Sequence, residues 1–558
     1  MEDTRFKTLI KKANFEYKAY QEQGVNWCVN NETSDTLPNK VRGGIIADEM
    51  GLGKTITIIG TMFTNMLPKT LIVVPPVLIN QWYNEILRTT GHKSLVFYGK
   101  NIKEITAETI TENPIVITSY YAIATQKSTK KTSTILHSFV WSRVIFDEAH
   151  HLRNEKTTRF MGARLLKAKI RWLITGTPIQ NREEDFYSLC AMLNLPYSYY
   201  KNPANIKTII NVFVLRRTKE EVGIKLPPIS YEDHYVDWNS NEENQLAEDI
   251  HSSLAFTSVS KDKQTKFGAH MSNYPVILRM LRAKQCCVLP FLVKNQYESY
   301  KKNPTPEPEP EHEELEPNDP ASNYESAFKS TSKLSNVRDL ICDRKNNKKG
   351  KIVFCQFRTE IDLLVYMLKQ KNITNVATID GRNTSESRTN ILKEAHDVLI
   401  LQIQTCCEGL NLQEHYSEIY FVSPHWNPSI EDQAIARCHR IGQKKPVDVF
   451  RFYMSEFKGD KEEKSITIEK YVNTVQENKR EISAKIMSGN APKSHPQDVE
   501  IVFDDDDTDD TDSLDTDSLR GNSETDSIYA ESDTEEDTKT KKTKTKTNIE
   551  LVFEDDDE

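Results

Sequence analysis

The chain has 558 residues, room for about three to five domains at roughly 100–200 residues each. Hydrophobic residues make up 37% and charged residues 28%, so part of the chain is expected to stay outside any packed core. The most apolar run, Leu71 to Ile79, is nine residues with two prolines, against the roughly 20 a membrane helix needs. The charged start MEDTRFKTLIKK lacks the apolar stretch of a secretory signal, so the chain reads as neither membrane-spanning nor secreted.

Nine cysteines are scattered without a CxxC pair, which argues for a reducing compartment and against a zinc finger or RING module. The net charge of -9 hides an asymmetry. Residues 501–558 carry 22 acidic and 6 basic side chains, leaving 60 acidic and 67 basic on the rest. A mildly basic body with an acidic tail suits a nucleic-acid partner.

Along the chain, GGIIADE (43–49), TLIVVPP (70–76), PIVITSY (114–120), RVIFDEA (143–149) and RWLITGT (171–177) each read as a buried strand running into a loop. Such continuous apolar runs predict a parallel sheet covered on both faces, with its chemistry at the carboxyl ends of the strands. Residues 226–345 are polar and expected to be partly helical, and are interrupted by a Pro/Glu-rich stretch at 303–320. A second α/β block follows: KIVFCQF (351–357), VATID (376–380), DVLILQI (397–403), EIYFVSP (418–424) and VDVFRFY (447–453). Beyond about residue 490 the chain is Asp/Ser/Thr-rich and expected to be disordered. The expected division is 1–225, a first lobe; 226–345, helical protrusions and linker; 346–490, a second lobe; and 491–558, an acidic tail.

Four motifs carry chemistry. DEMGLGKT, Asp48 to Thr55, follows the first strand. Backbone amides of such a turn at a helix start cradle phosphates, Lys54 reaches the outer phosphates and Thr55 ligates magnesium. The strict phosphate-loop pattern has glycine where Asp48 stands. FDEAH, Phe146 to His150, ends another strand; there Asp147 is placed to hold magnesium and Glu148 to activate water. LITGTPIQN, Leu173 to Asn181, makes a tight loop suited to sensing the outer phosphate. QAIARCHRIGQ, Gln433 to Gln443, puts Arg437 and Arg440 three apart, on one helix face, where two guanidinium groups can stabilise charge on a transferring phosphoryl group.

In this order, with YKAYQEQGVNW, LIVVPPVLINQW, VLRRTKEEV, VFCQF, EGLNL and HWNP, the motifs resemble the Swi/Snf family of DNA-dependent ATPases in helicase superfamily two, from about Tyr17 to Phe452. The chain is similar to compact versions carried by large DNA viruses, such as the baculovirus global transactivator. The resemblance implies an α/β fold of two RecA-like lobes, helical insertions between them, and ATP and Mg2+ as cofactors. It places Gln21 at adenine; Asp48, Gly51, Gly53, Lys54, Thr55, Gly176, Thr177 and Gln433 at nucleotide; Thr55 and Asp147 at the metal; and Glu148 at the attacking water. Arg437 and Arg440 become arginine fingers, and Thr118, Gly176, Thr177 and residues near Gly409 resemble positions that touch DNA or couple it to ATP.

The implied activity is ATP-driven translocation on duplex DNA that remodels protein–DNA complexes in transcription, chromatin or repair, in the nucleus or a viral DNA compartment. Nucleosomes and transcription complexes are the implied targets. The alternatives are a strand-separating helicase and an ATP-locked scaffold. The sequence departs from the family at Cys406 and Cys407, where glycines are usual, and at His425, where an acid often stands. No RING insertion is visible, which argues against ubiquitin ligase activity. In the tail, VEIVFDDDD (499–507) and IELVFEDDDE (549–558) resemble SUMO-interaction motifs, able to add a strand to a partner's sheet or meet a basic protein.

Overall fold

The computed structural model describes residues 4–126, 134–254, 275–290, 292–293, 331–406, 410–457 and 466–489. These belong to one compact unit, residues 1–501. The expected Pro/Glu linker at 303–320, the acidic tail from 491 and both SUMO-like segments lie outside the described residues.

The first sheet contains β1 (Gly43–Ile46), β2 (Thr70–Val74), β3 (Leu95–Phe97), β4 (Ile115–Ser119), β5 (Val140–Asp147), β6 (Lys167–Ile174) and β7 (Val214–Leu215). Their order is β3-β4-β2-β5-β6-β1-β7, with parallel pairing throughout. Alternate residues of each apolar run enter different cores. Leu71, Val73, Val144 and Phe146 join one cluster, while Ile72, Val74 and Ile145 join the other. This two-sided burial is why the sequence shows unbroken apolar runs instead of alternation. The short edge strands β3 and β7 were not among the expected elements, because two or three residues leave no run to read.

The second sheet contains β8 (Ile229–Val236), β9 (Gly350–Cys355), β10 (Val376–Ile379), β11 (Val398–Gln402), β12 (Tyr416–Phe421) and β13 (Val447–Met454), in the order β10-β11-β9-β12-β13-β8 and again parallel. β8 falls in the stretch expected to be helix and linker. It is an edge strand paired with β13 over its whole length, mostly exposed, so its sequence ISYEDHYV carries no buried-strand signature. The chain therefore enters the second sheet more than 100 residues before its central strand β9.

Buried ion pairs tie distant segments together. In the first lobe Arg143 donates from Nε to Glu32 Oε1 at 2.6 Å, and Glu32 also accepts from Trp172 Nε1 at 2.8 Å and Asn65 Nδ2 at 2.7 Å. In the second, buried Lys333 pairs with Glu469, which also accepts from Ser423 Oγ at 3.0 Å and the Met454 amide at 2.8 Å. Glu469 opens the helix Ile468–Met487, whose far end, Ile486 and Met487, lies in a core cluster of the first lobe. One helix thus packs against both lobes.

His425, which stands where an acid is usual, is buried. Its amide donates to Glu431 Oε1 at 2.8 Å and its Nδ1 accepts from the Asn427 amide at 3.0 Å. The imidazole supplies a neutral acceptor that shapes the loop. Burial, reinforced by the Lys284 charge, pushes it down to about 3. Burial likewise pushes His251 down to about 4.

Replacing Arg143 with methionine leaves the Glu32 carboxylate buried without its counter-charge, held by Trp172 and Asn65. The urea midpoint of the first lobe should fall by the equivalent of about 3–5 kcal/mol. The histidines set a pH dependence. Each binds its proton more weakly folded than unfolded, so their contribution is fully present above about pH 6.5 and is lost as pH falls towards 4 and 3. His425→Asn should give a shallower loss of stability over that window in pH-dependent urea titrations.

Candidate functional site

β1 delivers the chain to a turn, Ala47–Gly53, from which the helix Lys54–Thr64 starts. Gly51 and Gly53 have φ of +91° and +82°, left-handed values that favour glycine, and a side chain at Gly53 would collide with the Gln21 amide. Gln21 and Tyr20, on the helix Ala19–Thr33, donate from Nε2 and the hydroxyl to the Leu52 carbonyl, each at 3.1 Å. The Gln21 side chain therefore lies against the phosphate loop.

Asp48, out of place in a strict phosphate loop, is explained by Arg217. The Arg217 guanidinium donates to both Asp48 oxygens, with Nε at 3.0 Å from Oδ1, and its third nitrogen reaches the Tyr20 carbonyl. Next door, Lys219 bonds Glu49 through its amide at 2.7 Å and its ammonium at 2.7 Å. The segment after β7 thus returns to clamp the loop in place. The recognised stretch VLRRTKEEV contained these residues, but without a stated role for them.

Lys54 donates from Nζ to the Asp48 carbonyl at 3.0 Å. Its surroundings desolvate it and pull its pKa down, against the raising charges of Glu148, Asp147 and Asp48. A Cβ placed on Gly176 would stand 3.4 Å from Nζ, so the loop after β6 faces the same lysine. The next residue, Thr177, donates its amide to Thr175 Oγ1 at 3.1 Å and accepts from Gln180 Nε2 at 3.4 Å.

Asp147 is the last residue of β5, and Glu148 follows with φ +48°, a strained value for glutamate of the kind found at functional sites. Asp147 is buried. Its Oδ2 accepts from Trp82 Nε1 at 2.7 Å and its Oδ1 from the Glu148 amide at 3.0 Å. Burial first, then the Glu148 charge, pushes the Asp147 carboxyl well above the usual range. Burial acts upward on Glu148 as well, but His150, with Nδ1 3.3 Å from Oε2, together with Lys54 and Arg437 holds it below its usual value. Two adjacent carboxyls with strained ionisation, beside the first helical residues Lys54 and Thr55, fit a cation shared with phosphate oxygens.

The second lobe brings its arginines to this place, but not on one helix face as expected: the helix Pro428–Ala436 ends before them, Arg437 is its C-cap and Arg440 lies in the turn beyond. Arg437 is close enough to Lys54 and Glu148 to lower the pKa of both. The Arg440 Cβ stands 3.6 Å from where a Gly51 side chain would begin, and its guanidinium bonds Asn411 Oδ1. Gln433 lies on the neighbouring helix Pro428–Ala436, buried, with Nε2 unpaired among the described residues. The lobes also meet through Asn427 Nδ2, which donates to Gln180 Oε1 at 3.1 Å, while Arg153 Nη1 donates to the same oxygen at 2.5 Å.

Thr118, expected to touch DNA or couple it to ATP, is fully buried, with its hydroxyl donated to the Phe97 carbonyl at 3.0 Å; the side chain is placed for an internal role and not for direct DNA contact. Gly409 and Cys407 lie outside the described residues, as does the side chain of Cys406. Trp82, Gln180, Arg217 and Asn427 were not singled out from sequence, although each lies within a quoted motif.

An SNF2-related domain matches residues 20–292 and a helicase conserved C-terminal domain matches 332–442, together more than two thirds of the chain. The chain is 28% identical to a probable global transactivator of Orgyia pseudotsugata multicapsid polyhedrosis virus, over 85% of this chain and 91% of that protein. It is 26% identical to the DNA repair protein RAD5B of Arabidopsis thaliana, over 82% of this chain and 46% of the relative. It is 28% identical to the ISWI chromatin-remodeling complex ATPase ISW1 of Saccharomyces cerevisiae, over 78% and 38%. The chain spans about half the length of the plant and fission-yeast repair proteins it matches. The Sulfolobus solfataricus SWI2/SNF2 ATPase core in complex with dsDNA aligns over 85% of this chain and 93% of its own, at 21% identity and a TM-score of 0.35. An SNF2-related domain that spans the first sheet and the edge strand β8, followed by a helicase C-terminal domain over strands β9 to β12 of the second sheet, makes this chain a member of the Swi/Snf family.

Proposed function

We propose that this chain is a DNA-stimulated ATPase that moves along duplex DNA and remodels the protein complexes bound to it. The observation that supports this best is the convergence of Lys54 and Glu148 from one lobe with Arg437 from the other, three charges that interact across the interlobe boundary. A site completed only when two lobes meet ties phosphate chemistry to lobe movement.

In this reading Gln21 lies at the base and the amides of Gly51 to Thr55 receive the phosphates, with Lys54 at the outer ones. Thr55 and Asp147 hold Mg2+, which neutralises phosphate charge when bound. Glu148, kept ionised by His150, Lys54 and Arg437, orients the attacking water and accepts its proton. Arg437 supplies positive charge to the transferring phosphoryl group, and Arg440 does so once released from Asn411. Gly176, Thr177 and Gln433 complete the nucleotide surroundings, with Gly176 the residue that Lys54 approaches.

Duplex DNA is the proposed track, since the chain outside residues 501–558 is net basic and backbone tracking needs phosphate contacts more than base readout. The relatives named for repair and chromatin remodelling support a nuclear or viral DNA compartment. The segments 499–507 and 549–558 are proposed to dock SUMO or a basic protein. The proposed division is 1–225, 226–345, 346–490 and 491–558, with β8 assigned to the second lobe.

Steady-state ATP hydrolysis should rise strongly with duplex DNA and fall to background in Lys54→Ala and Glu148→Gln. Stimulation by RNA alone, or hydrolysis that survives both changes, overturns the reading. Arg217→Ala frees the Asp48 carboxylate and the loop it holds. ATP affinity should drop about tenfold or more, measured by calorimetry, with the helix content unchanged.

A further inference from the structure

Trp82 stands 65 residues before Asp147 in sequence, yet the two side chains meet in the core. The indole belongs to the helix Ile79–Thr90, which follows β2 and contributes Ile79, Trp82 and Ile86 to the core cluster that also holds Ile72, Ile117 and Ile145. That packing places Trp82, 1% exposed, beneath the carboxyl ends of the strands, and its Nε1 donates to Asp147 Oδ2 at 2.7 Å. The other oxygen accepts the Glu148 amide at 3.0 Å.

A buried indole N–H needs some acceptor, and a backbone carbonyl would satisfy it. Here the acceptor is a carboxylate, the one that ends β5 beside Glu148. Two donors, one on each oxygen, fix the rotation of the carboxylate plane. A free aspartate would spend entropy to adopt that plane when a cation arrives; this one holds it beforehand. Hydrogen bonds to a ligating carboxylate orient it and tune the metal it holds.

We propose that Trp82 is a positioning residue for the divalent cation that accompanies ATP, acting through Asp147. This rests on the reading of Asp147 as the metal-holding carboxylate. The neighbouring core residues keep Trp82 rigid, so the bond is built into the first lobe and does not depend on the second. Cation affinity is therefore set before the lobes close, whereas the charge supplied by Arg437 arrives only with closure.

The test uses the full chain as wild type, Trp82→Phe and Asp147→Asn. Mn2+ binding is titrated by electron paramagnetic resonance in the presence of a non-hydrolysable ATP analogue, with thermal unfolding and metal-free nucleotide affinity measured alongside. Phenylalanine keeps an aromatic ring in the core and removes the donor. Mn2+ affinity should fall about 10–100-fold in Trp82→Phe, while metal-free nucleotide binding stays at the wild-type value. Wild-type Mn2+ affinity in Trp82→Phe, with weakened binding in Asp147→Asn, overturns the inference and leaves the reading of the site intact. Wild-type affinity in Asp147→Asn overturns both. Should Trp82→Phe fail to fold, indole 15N–1H spectra of the wild-type chain decide. One of the six tryptophan N–H resonances should shift when Mg2+ is added to the nucleotide complex, and should be altered in Asp147→Asn. A set of six unmoved resonances rejects the assignment.

Discussion

Charge held out of water has to be compensated, and around Lys54 this requirement dictates where other segments go. The lysine stands among Asp48, Asp147 and Glu148, with Arg437 opposing them. Asp48 in turn requires Arg217, so the chain must return from β7 to the first loop. Asp147 takes the Trp82 indole, so the helix after β2 must bring that face under the sheet. Glu148 takes His150, so the turn after β5 must double back through a left-handed residue. The parallel order of the strands makes all this possible, because it gathers the loops after β1, β5 and β6 at one edge.

The second lobe contributes more than its arginines. Asn427 donates to Gln180, and Gln180 also accepts from Arg153, which follows the turn carrying Glu148. The loop bearing Asn427 is held from behind by the helix Ile468–Met487, through Lys479 Nζ on the Trp426 carbonyl at 2.9 Å and Gln476 Nε2 on Glu431 at 2.8 Å. The same helix ends in the core of the first lobe. Hydrogen bonds at the cleft and apolar packing away from it therefore both oppose separation of the lobes.

Departures from the family pattern have local reasons. Aspartate in place of a loop glycine at position 48 is tolerated because Arg217 neutralises it and the loop needs positive φ only at Gly51 and Gly53. Histidine at position 425, where an acid often stands, accepts the Asn427 amide as a neutral group, and the nearby carboxylate Glu431 accepts the His425 amide. Beside it, Lys284 donates to the Pro424 carbonyl at 2.9 Å and lies over the Trp426 ring at 5.0 Å. A cation already packed against this loop disfavours a protonated histidine, in keeping with its depressed pKa.

The sequence by itself determined the elements whose signal is local. Apolar runs marked ten of the thirteen strands among the described residues, and GLGKT, DEAH and RCHRIGQ marked the residues that carry charge to the cleft. Their residue types follow from chemistry that must occur at a strand end or a helix start, so a few neighbouring positions suffice to reveal them. Tertiary structure alone decided the rest. β8 is an exposed edge strand that needs β13, more than 200 residues away, to exist as a strand at all. Thr118 lies in a recognised motif, but that β3 would take its hydroxyl could not be read from that motif. Trp82, Arg217 and the Gln180–Asn427 pair act through partners up to 247 residues distant. No spacing rule encodes such pairs, because the distance between their side chains is fixed by how sheets and helices pack.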